Sequence, residues 1–493
     1  MPGSCLLQSI YAQQVGESSP HFEQVVGQFF KAPEEPIPED IVEECLWHES
    51  LFSDEGIVDN WKQLLAVNLL YDAAKASPTA IAAKVRLFER HPWNQSSQYV
   101  RALVALNHAF AKMPIPEVGP HLLESGAALI DLKEYAPWLS LPFIPHHFEF
   151  GICLSLLALM TQRQDLRETV LQLAHWQLNT LDASGQPLIG LFVREKEGHA
   201  LHHLCVSYLF FRGAAALSEE NAFTAIADAS GKGIRSLVEA GAAMHPLWPL
   251  IERWLEPYGG ASCLSFVLPE SVYDPSTALV GYRTSSQHAF CTLHGGHTGL
   301  GALRLGDVEI VSYGPQYLPL GECQGFGIEG NALSDQGIRR STMEGRRHSF
   351  SLRGCTRLVD QPPSKPFEQE RFRGIWLEVS QEFKRPHFFL KTTFLGLDGW
   401  DAVTFSFFVK ATSCRISEET RLLPRTLCRY EGKADTILCE GRQATLALRP
   451  LSFSGKMQVI PLAGGDNFWG ADFLVAYFVH SEQRHYQWHI GPP

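Results

Sequence analysis

The hydrophobic repeat of this chain changes once, near Pro257, and that change limits what the chain can fold into. From residue 58 to 257 apolar side chains recur at helical spacing. In IVDNWKQLLAVNLLYDAAKA, for example, Trp61, Leu64, Leu65 and Leu69 fall on one stripe. Helices are equally expected in SQYVRALVALNHAFAK, HLLESGAALIDLKEY, HHFEFGICLSLLALM, DLRETVLQLAHWQLNTL, GHALHHLCVSYLFFRGAAAL, AFTAIADASGKGIRSLVEA and HPLWPLIERWL. SPTAIAAKVRLFERH opens on Ser-Pro, a start signal, because the first helical turn has no use for the N–H that proline lacks. A nearly wholly apolar stretch (151–160) is followed by an amphipathic one (165–181). That alternation suits a double layer of helices, inner ones buried all round and outer ones half exposed.

Past Pro257 the period falls to two. HAFCTLHG, GALRLGDVEIVSYG, RHSFSLRG, IWLEVSQEF, HFFLKTTFLGL, AVTFSFFVKA, ATLALRPLSF, GKMQVIPLA and ADFLVAYFVHS read as short strands between Gly, Pro, Asp and Asn turns. Many such strands at regular spacing predict an antiparallel β-sandwich. A chain of 493 residues exceeds one ordinary core. The expected division is an N-terminal extension (1–57), a helical domain (58–257) and a β domain (258–493), a multidomain α and β protein. Within the extension, KAPEEPIPED (31–40) reads as extended and solvent-facing.

Charge and cysteine usage exclude several partners. A formal net charge of −12 argues against nucleic acid, which needs a basic footprint. The eleven cysteines form no CxxC pair, and several sit inside apolar runs where a free thiol acts as a small hydrophobe. A reducing compartment is expected. No basic-then-apolar leader is visible, and GICLSLLALM is shorter than the roughly 20 apolar residues that span a bilayer. The expectation is therefore a cytoplasmic protein with no membrane partner. There is no GxSxG elbow, no dinucleotide fingerprint, no phosphate loop and no zinc-ribbon spacing.

The densest chemistry lies in ALVGYRTSSQHAFCTLHGGHTGLGALRLGDVEIVSYGPQY, residues 278–317. His294 and His297 flank a glycine turn there, an alternating strand follows, and Gly314-Pro315 reads as a second turn. A junction between two domains is where ligand sites concentrate. Helices followed by a sandwich that opens on Val280-Gly281-Tyr282-Arg283, His294-Gly295-Gly296-His297, the strand Leu303–Ile310 and Tyr313-Gly314-Pro315 resemble the heparinase II/III-like polysaccharide lyases. The resemblance implies an N-terminal α/α toroid of paired helices joined to a C-terminal antiparallel β-sandwich. It also implies a protein that binds an acidic, uronate-containing polysaccharide and cleaves it by β-elimination. Some members hold zinc with carboxylates beside a histidine. Here Thr298 and Gly299 follow His297, and one histidine lacks the roughly four ligands of a zinc site. Neither metal nor other cofactor is expected.

β-Elimination removes the proton α to a uronate carboxylate. Its site must offset that negative charge, supply a base and protonate the leaving oxygen. The resemblance places the candidates at His147 or His294 for charge stabilisation and at Tyr208 or His203 for proton transfer. His146, Arg212, His297, Arg346 and Arg347 are candidates for holding substrate, with Arg339 and Arg340 in the same basic run. Tyr208 and Arg212 are four apart on a helix face, where a guanidinium would favour phenolate.

Each candidate also has a packing role open to it. Tyr208 in an apolar helix reads as a core tyrosine, His199 and His203 as helix-packing residues, and His146 and His147 as the start of a helix. The arginine pairs read as edge-strand charges. Two functional alternatives stay open. One is a noncatalytic carbohydrate-binding or protein-interaction scaffold. The other is a toroid glycoside hydrolase using acids among Asp131, Glu134, Glu149 and Glu252.

Overall fold

A computed structural model describes residues 6–16, 21–31, 57–74, 82, 85, 98–114, 144–188, 200–218, 220–239, 241–258, 266–274, 278–293, 299–317, 340–346, 348–361, 371–397, 403–416, 418, 420–462 and 470–493. The change of period near Pro257 is a change of secondary structure. The described helices all come first: α1 (Leu6–Gln14), α2 (His21–Lys31), α3 (Ile57–Ala74), α4 (Gln98–Phe110), α5 (Ile144–Thr161), α6 (Gln164–Gln177), α7 (Ala200–Leu217), α8 (Asn221–Glu239) and α9 (Leu247–Leu255). Two antiparallel sheets follow, so the fold class is the expected one of helices and then a sandwich. The chain divides into two compact units. One comprises Met1–Ile130, Pro145–Leu178 and Leu201–Phe266, the other Asp131–Ile144, Asn179–Ala200 and Val267–Pro493. Among the described residues no helix is long and apolar enough to cross a membrane.

Within the helical unit the two predicted kinds of helix are present. α5 is buried along Phe148–Ala158, while α6 buries only Leu166, Thr169, Val170, Leu173, Ala174, Trp176 and Gln177, the stripe a 3.6-residue period gives. α5 and α7 meet closely at Gly213, where an added Cβ would lie 2.7 Å from the Ser155 side chain. Each leucine buried in this packing contributes about 1.5–3 kcal/mol. One polar tie is buried with them. Asn68 donates to Asn107 Oδ1 at 2.6 Å, and Asn107 donates to the carbonyls of Leu103 (2.9 Å) and Trp61 (3.2 Å), joining α3 to α4. The segments that form α1 and α2 lie in the stretch read as an extension of mixed character. They are helices, and α1 buries Leu7 and Tyr11.

The first sheet runs β1 (Ser271–Asp274), β2 (Leu279–Arg283), β3 (Gln287–Cys291), β4 (Gly301–Leu305), β5 (Val308–Tyr317), β10 (Val403–Lys410), β17 (Phe473–Phe478), β16 (Lys456–Pro461) and β13 (Tyr430–Lys433). The second runs β12 (Arg421–Leu422), β11 (Ser413–Arg415), β14 (Ile437–Glu440), β15 (Thr445–Ser452), β18 (His485–Gly491), β9 (His387–Leu395), β8 (Arg371–Lys384), β7 (Ser349–Gln361) and β6 (Arg340–Arg346). Alternate residues of both sheets share one core. Phe405 of β10 stacks on Trp488 of β18 with ring centres 4.6 Å apart. Stretch 278–317 thus supplies four neighbouring strands of the first sheet. Its second expected turn is absent, because β5 runs on through Gly314 and Pro315. Beyond Tyr313 β5 has β10 as its paired neighbour and no longer pairs with β4, so a proline without an N–H is tolerated there.

One buried hydrogen bond crosses the sandwich. Tyr313 Oη of β5 donates to Gln381 Oε1 of β8, and Gln381 Nε2 donates to the Thr292 carbonyl at 3.3 Å. Tyr313→Phe leaves the amide oxygen without that donor in an apolar core. We expect a loss of about 1–3 kcal/mol of unfolding free energy in urea titration, with native circular dichroism retained.

Candidate functional site

Buried charge in the helical unit gathers around Glu149, near the start of α5. Its side chain is 2% exposed, and one carboxylate oxygen lies 2.9 Å from Lys62 Nζ of α3 and 3.3 Å from His202 Nε2 of α7. A carboxylate that deep needs such partners. The Lys62 ammonium also lies 5.7 Å from the centre of the Tyr99 ring on α4. His202 keeps 28% of its side chain exposed, so the cluster opens to water on its side.

Trp248 of α9 is set between two imidazoles, 5.2 Å from His202 and 6.0 Å from His245. His245, just before α9, is open to water at its surface while neighbouring protein still desolvates the ring. Its pKa is pulled down to about 4 by this burial, then by the nearby Lys62 and His202, with Glu149 partly offsetting them. At neutral pH His245 is an unprotonated imidazole facing a lysine, a histidine and a carboxylate. That set can hold an anion, accept a proton and return one.

The residues expected from sequence fall in several places. His203 is in α7 as expected, 3% exposed, with its ring 5.3 Å from that of His202. Tyr208, one turn further, is 4% exposed and its hydroxyl donates to Glu252 Oε1 at 2.6 Å. Arg212 lies 5.9 Å above the Tyr208 ring, so the guanidinium addresses the ring face. Tyr208 thereby takes up the packing role of a core tyrosine, its hydroxyl engaged by a carboxyl group. His146 and His147 lie in the first turn of α5 and Arg340 and Arg346 at the ends of β6, but their side chains are outside the described residues. His294, His297, Arg347, His199, Arg339, Asp131 and Glu134 also lie outside them. Of the acids named from sequence, Glu149 belongs to the cluster. Lys62, His202 and His245 were not singled out from sequence.

No protein-family model matches the chain, and no curated protein matches it. Solved structures do. The chain is similar to the Streptomyces coelicolor A3 chondroitin AC lyase in complex with chondroitin sulphate, at 11% identity and a TM-score of 0.47, over 99% of this chain and 73% of that one. It is similar to a chondroitinase AC lyase solved in oligosaccharide complexes, at 9% identity and a TM-score of 0.46, over 99% and 83%. It is similar to heparinase III at 10% identity and a TM-score of 0.34, over 97% and 92%. The first two are lyases by name. Likenesses so distant assign neither substrate nor residue roles, and none is carried over.

Glu252 makes a prediction of its own. Oε2 accepts the backbone N–H of Gln8 at 3.0 Å, so this carboxyl caps the start of α1 while Oε1 holds Tyr208. Burial raises its pKa, opposed by the hydrogen bonds from Tyr208 and the α1 backbone and by Arg212. Because the folded-state pKa lies above the unfolded one, its contribution to stability is complete below the ordinary carboxylate range. It declines as pH rises toward the raised value. The unfolding free energy of the wild type relative to Glu252→Gln should therefore fall from about pH 4 upward, read by urea titration at each pH. A difference that grows with pH would refute the assignment.

Proposed function

We propose that this chain binds an acidic, uronate-containing polysaccharide at the Lys62–Glu149–His202–His245 cluster of its helical unit and cleaves it by β-elimination. One observation carries the reading: a water-exposed imidazole with a lowered pKa stands near Lys62 and His202, both of which reach the buried Glu149 carboxylate. β-Elimination needs that combination. In this reading Lys62 faces the substrate carboxylate and offsets the charge that builds on it when the neighbouring C–H bond breaks. His245, unprotonated at neutral pH, takes the proton. Glu149 orients His202 through Nε2, and His202 delivers a proton to the leaving oxygen. His147, two residues before Glu149 on α5, belongs to the same proposal.

The alternative of a noncatalytic carbohydrate-binding scaffold draws on one observation, that Tyr208 spends its hydroxyl on Glu252 inside the core. A panel of uronate polysaccharides separates the two. Cleavage generates an unsaturated, ultraviolet-absorbing product, whereas a scaffold binds oligosaccharide without any absorbance change. No product across the panel would sink the catalytic reading.

For the cleaving protein, Lys62→Ala and His202→Ala should each lower kcat/KM by about 10²–10⁴. His245 is protonated below about pH 4 and free above it, so kcat/KM should rise with pH through about 4 and then level on the acid side. An acid limb near the ordinary imidazole value would exclude His245 as the base.

A further inference from the structure

The outward face of the second sheet carries a chain of hydrogen bonds that the proposed function does not use. Arg449 of β15, His489 of β18 and His387 of β9 stand on three neighbouring strands, with Arg449 and His489 paired in register. Arg449 Nη1 lies 3.4 Å from His489 Nδ1, and His489 Nε2 lies 3.0 Å from His387 Nδ1. The directions follow from chemistry. A guanidinium only donates, so His489 Nδ1 accepts and the ring proton of His489 sits on Nε2. That proton points to His387 Nδ1, which must accept in turn, and the proton of His387 is left on Nε2. Both imidazoles are then neutral. Burial, Arg449 and His387 all lower the His489 pKa, in keeping with that state.

The order of the chain leaves donors and no acceptors for a visitor. Both Nδ1 atoms are consumed as acceptors, and Arg449 Nη1 also reaches the Pro492 carbonyl at 3.1 Å. What remains is His387 Nε2–H and the other N–H groups of Arg449. Phe389 stacks on His489 with ring centres 4.9 Å apart and fixes the ring plane. Lys391, two residues along the same face, is exposed. The acid paired in register with Phe389, Glu382, is held by Lys384 at 2.7 Å. Gly491 supports the geometry independently: a Cβ there would stand 2.8 Å from His387 Nδ1 and 3.5 Å from His489 Nε2, in the space the histidine pair needs.

We propose that Arg449, His489 and His387 form an anion-recognition patch that takes a carboxylate or sulfate group of an acidic sugar. The preference for an anion comes from the donor-only chemistry of the patch. Only the identity of its carrier, an acidic sugar, rests on the function proposed above. Two imidazole nitrogens this close would otherwise invite a divalent cation, and Arg449 opposes that by occupying Nδ1 with a positive charge.

The test is nitrogen-15 NMR of the histidine rings in the full chain, titrated with sodium sulfate, with oligogalacturonate and with zinc. Both rings are expected as Nε2–H tautomers whose signals move with sulfate and with oligogalacturonate, and zinc should not bind in preference. Gly491→Ala, which keeps every donor but crowds the pair, should weaken sulfate binding about tenfold or more. Arg449→Gln should release the tautomers and abolish the sulfate response. Lys62→Ala should leave both effects intact. Unmoved His387 and His489 signals, unchanged sulfate affinity in Gly491→Ala, or tight zinc binding would each overturn the patch. Loss of cleavage activity alone would bear only on the helical cluster. A response to sulfate without one to oligogalacturonate would leave an anion site but overturn the sugar as its carrier.

Discussion

A carboxylate cannot stay ionised away from water without partners, and in this protein the partners of two buried glutamates determine which helices can be neighbours. Glu149 needs Lys62 from α3 and His202 from α7 around α5. Glu252 needs Tyr208 from α7 and the open backbone at the start of α1. Apolar packing alone tolerates many slightly different helix arrangements, because hydrophobic contacts are not directional. A shared carboxylate oxygen is not so tolerant. Moving α3 or α7 by a few ångströms would leave a buried charge unpaired, at several kcal/mol. The helical unit is thus given its register by the same polar groups on which the proposed site is built.

The sandwich meets a similar demand with neutral groups. Its core is almost wholly apolar, and within it Tyr313 and Gln381 satisfy each other across the sheets. Asp307, in the turn between β4 and β5, accepts the backbone N–H groups of Gln443 and Ala444, at 3.1 and 3.0 Å, in the turn between β14 and β15. In the sequence, that aspartate belonged to a stretch that looked rich in catalytic options. In the structure it ties a turn of one sheet to a turn of the other.

What the sequence disclosed was periodicity, since burial on one face leaves a repeat that can be read without knowing the partner. α3 with Trp61, Leu64, Leu65 and Leu69, and β9 with its strict alternation, were legible for that reason. The turn expected at Gly314-Pro315 failed because proline and glycine signal turns only where the flanking strands do not enforce pairing, and β10 enforces it there. The cluster was harder. Lys62 and Glu149 lie far apart along the chain, and no local pattern announces their contact. His202 and His203 are adjacent, yet a helix turns about 100° between them, so one faces Glu149 and the other packs inside. α7 is buried nearly all round, so its apolar repeat gave no phase by which to prefer either histidine.

Electrostatics then links binding to proton transfer within the proposed site. Lys62 and His202 lower the proton affinity of His245, and the same groups are the ones placed to attract a substrate carboxylate. Before substrate arrives, burial first and then these neighbours keep His245 unprotonated, ready but weakly basic. A bound carboxylate cancels part of that field, so the proton affinity of His245 rises only when there is a proton to take. The base is thus free above about pH 4 and strengthened by the ligand it acts on. In a chain with a net charge of −12, this demands positive charge that is local, as at Lys62 beside Glu149. A carboxylate lost from position 149 would change both effects together, because Lys62 and His202 would then press on His245 without their counterion.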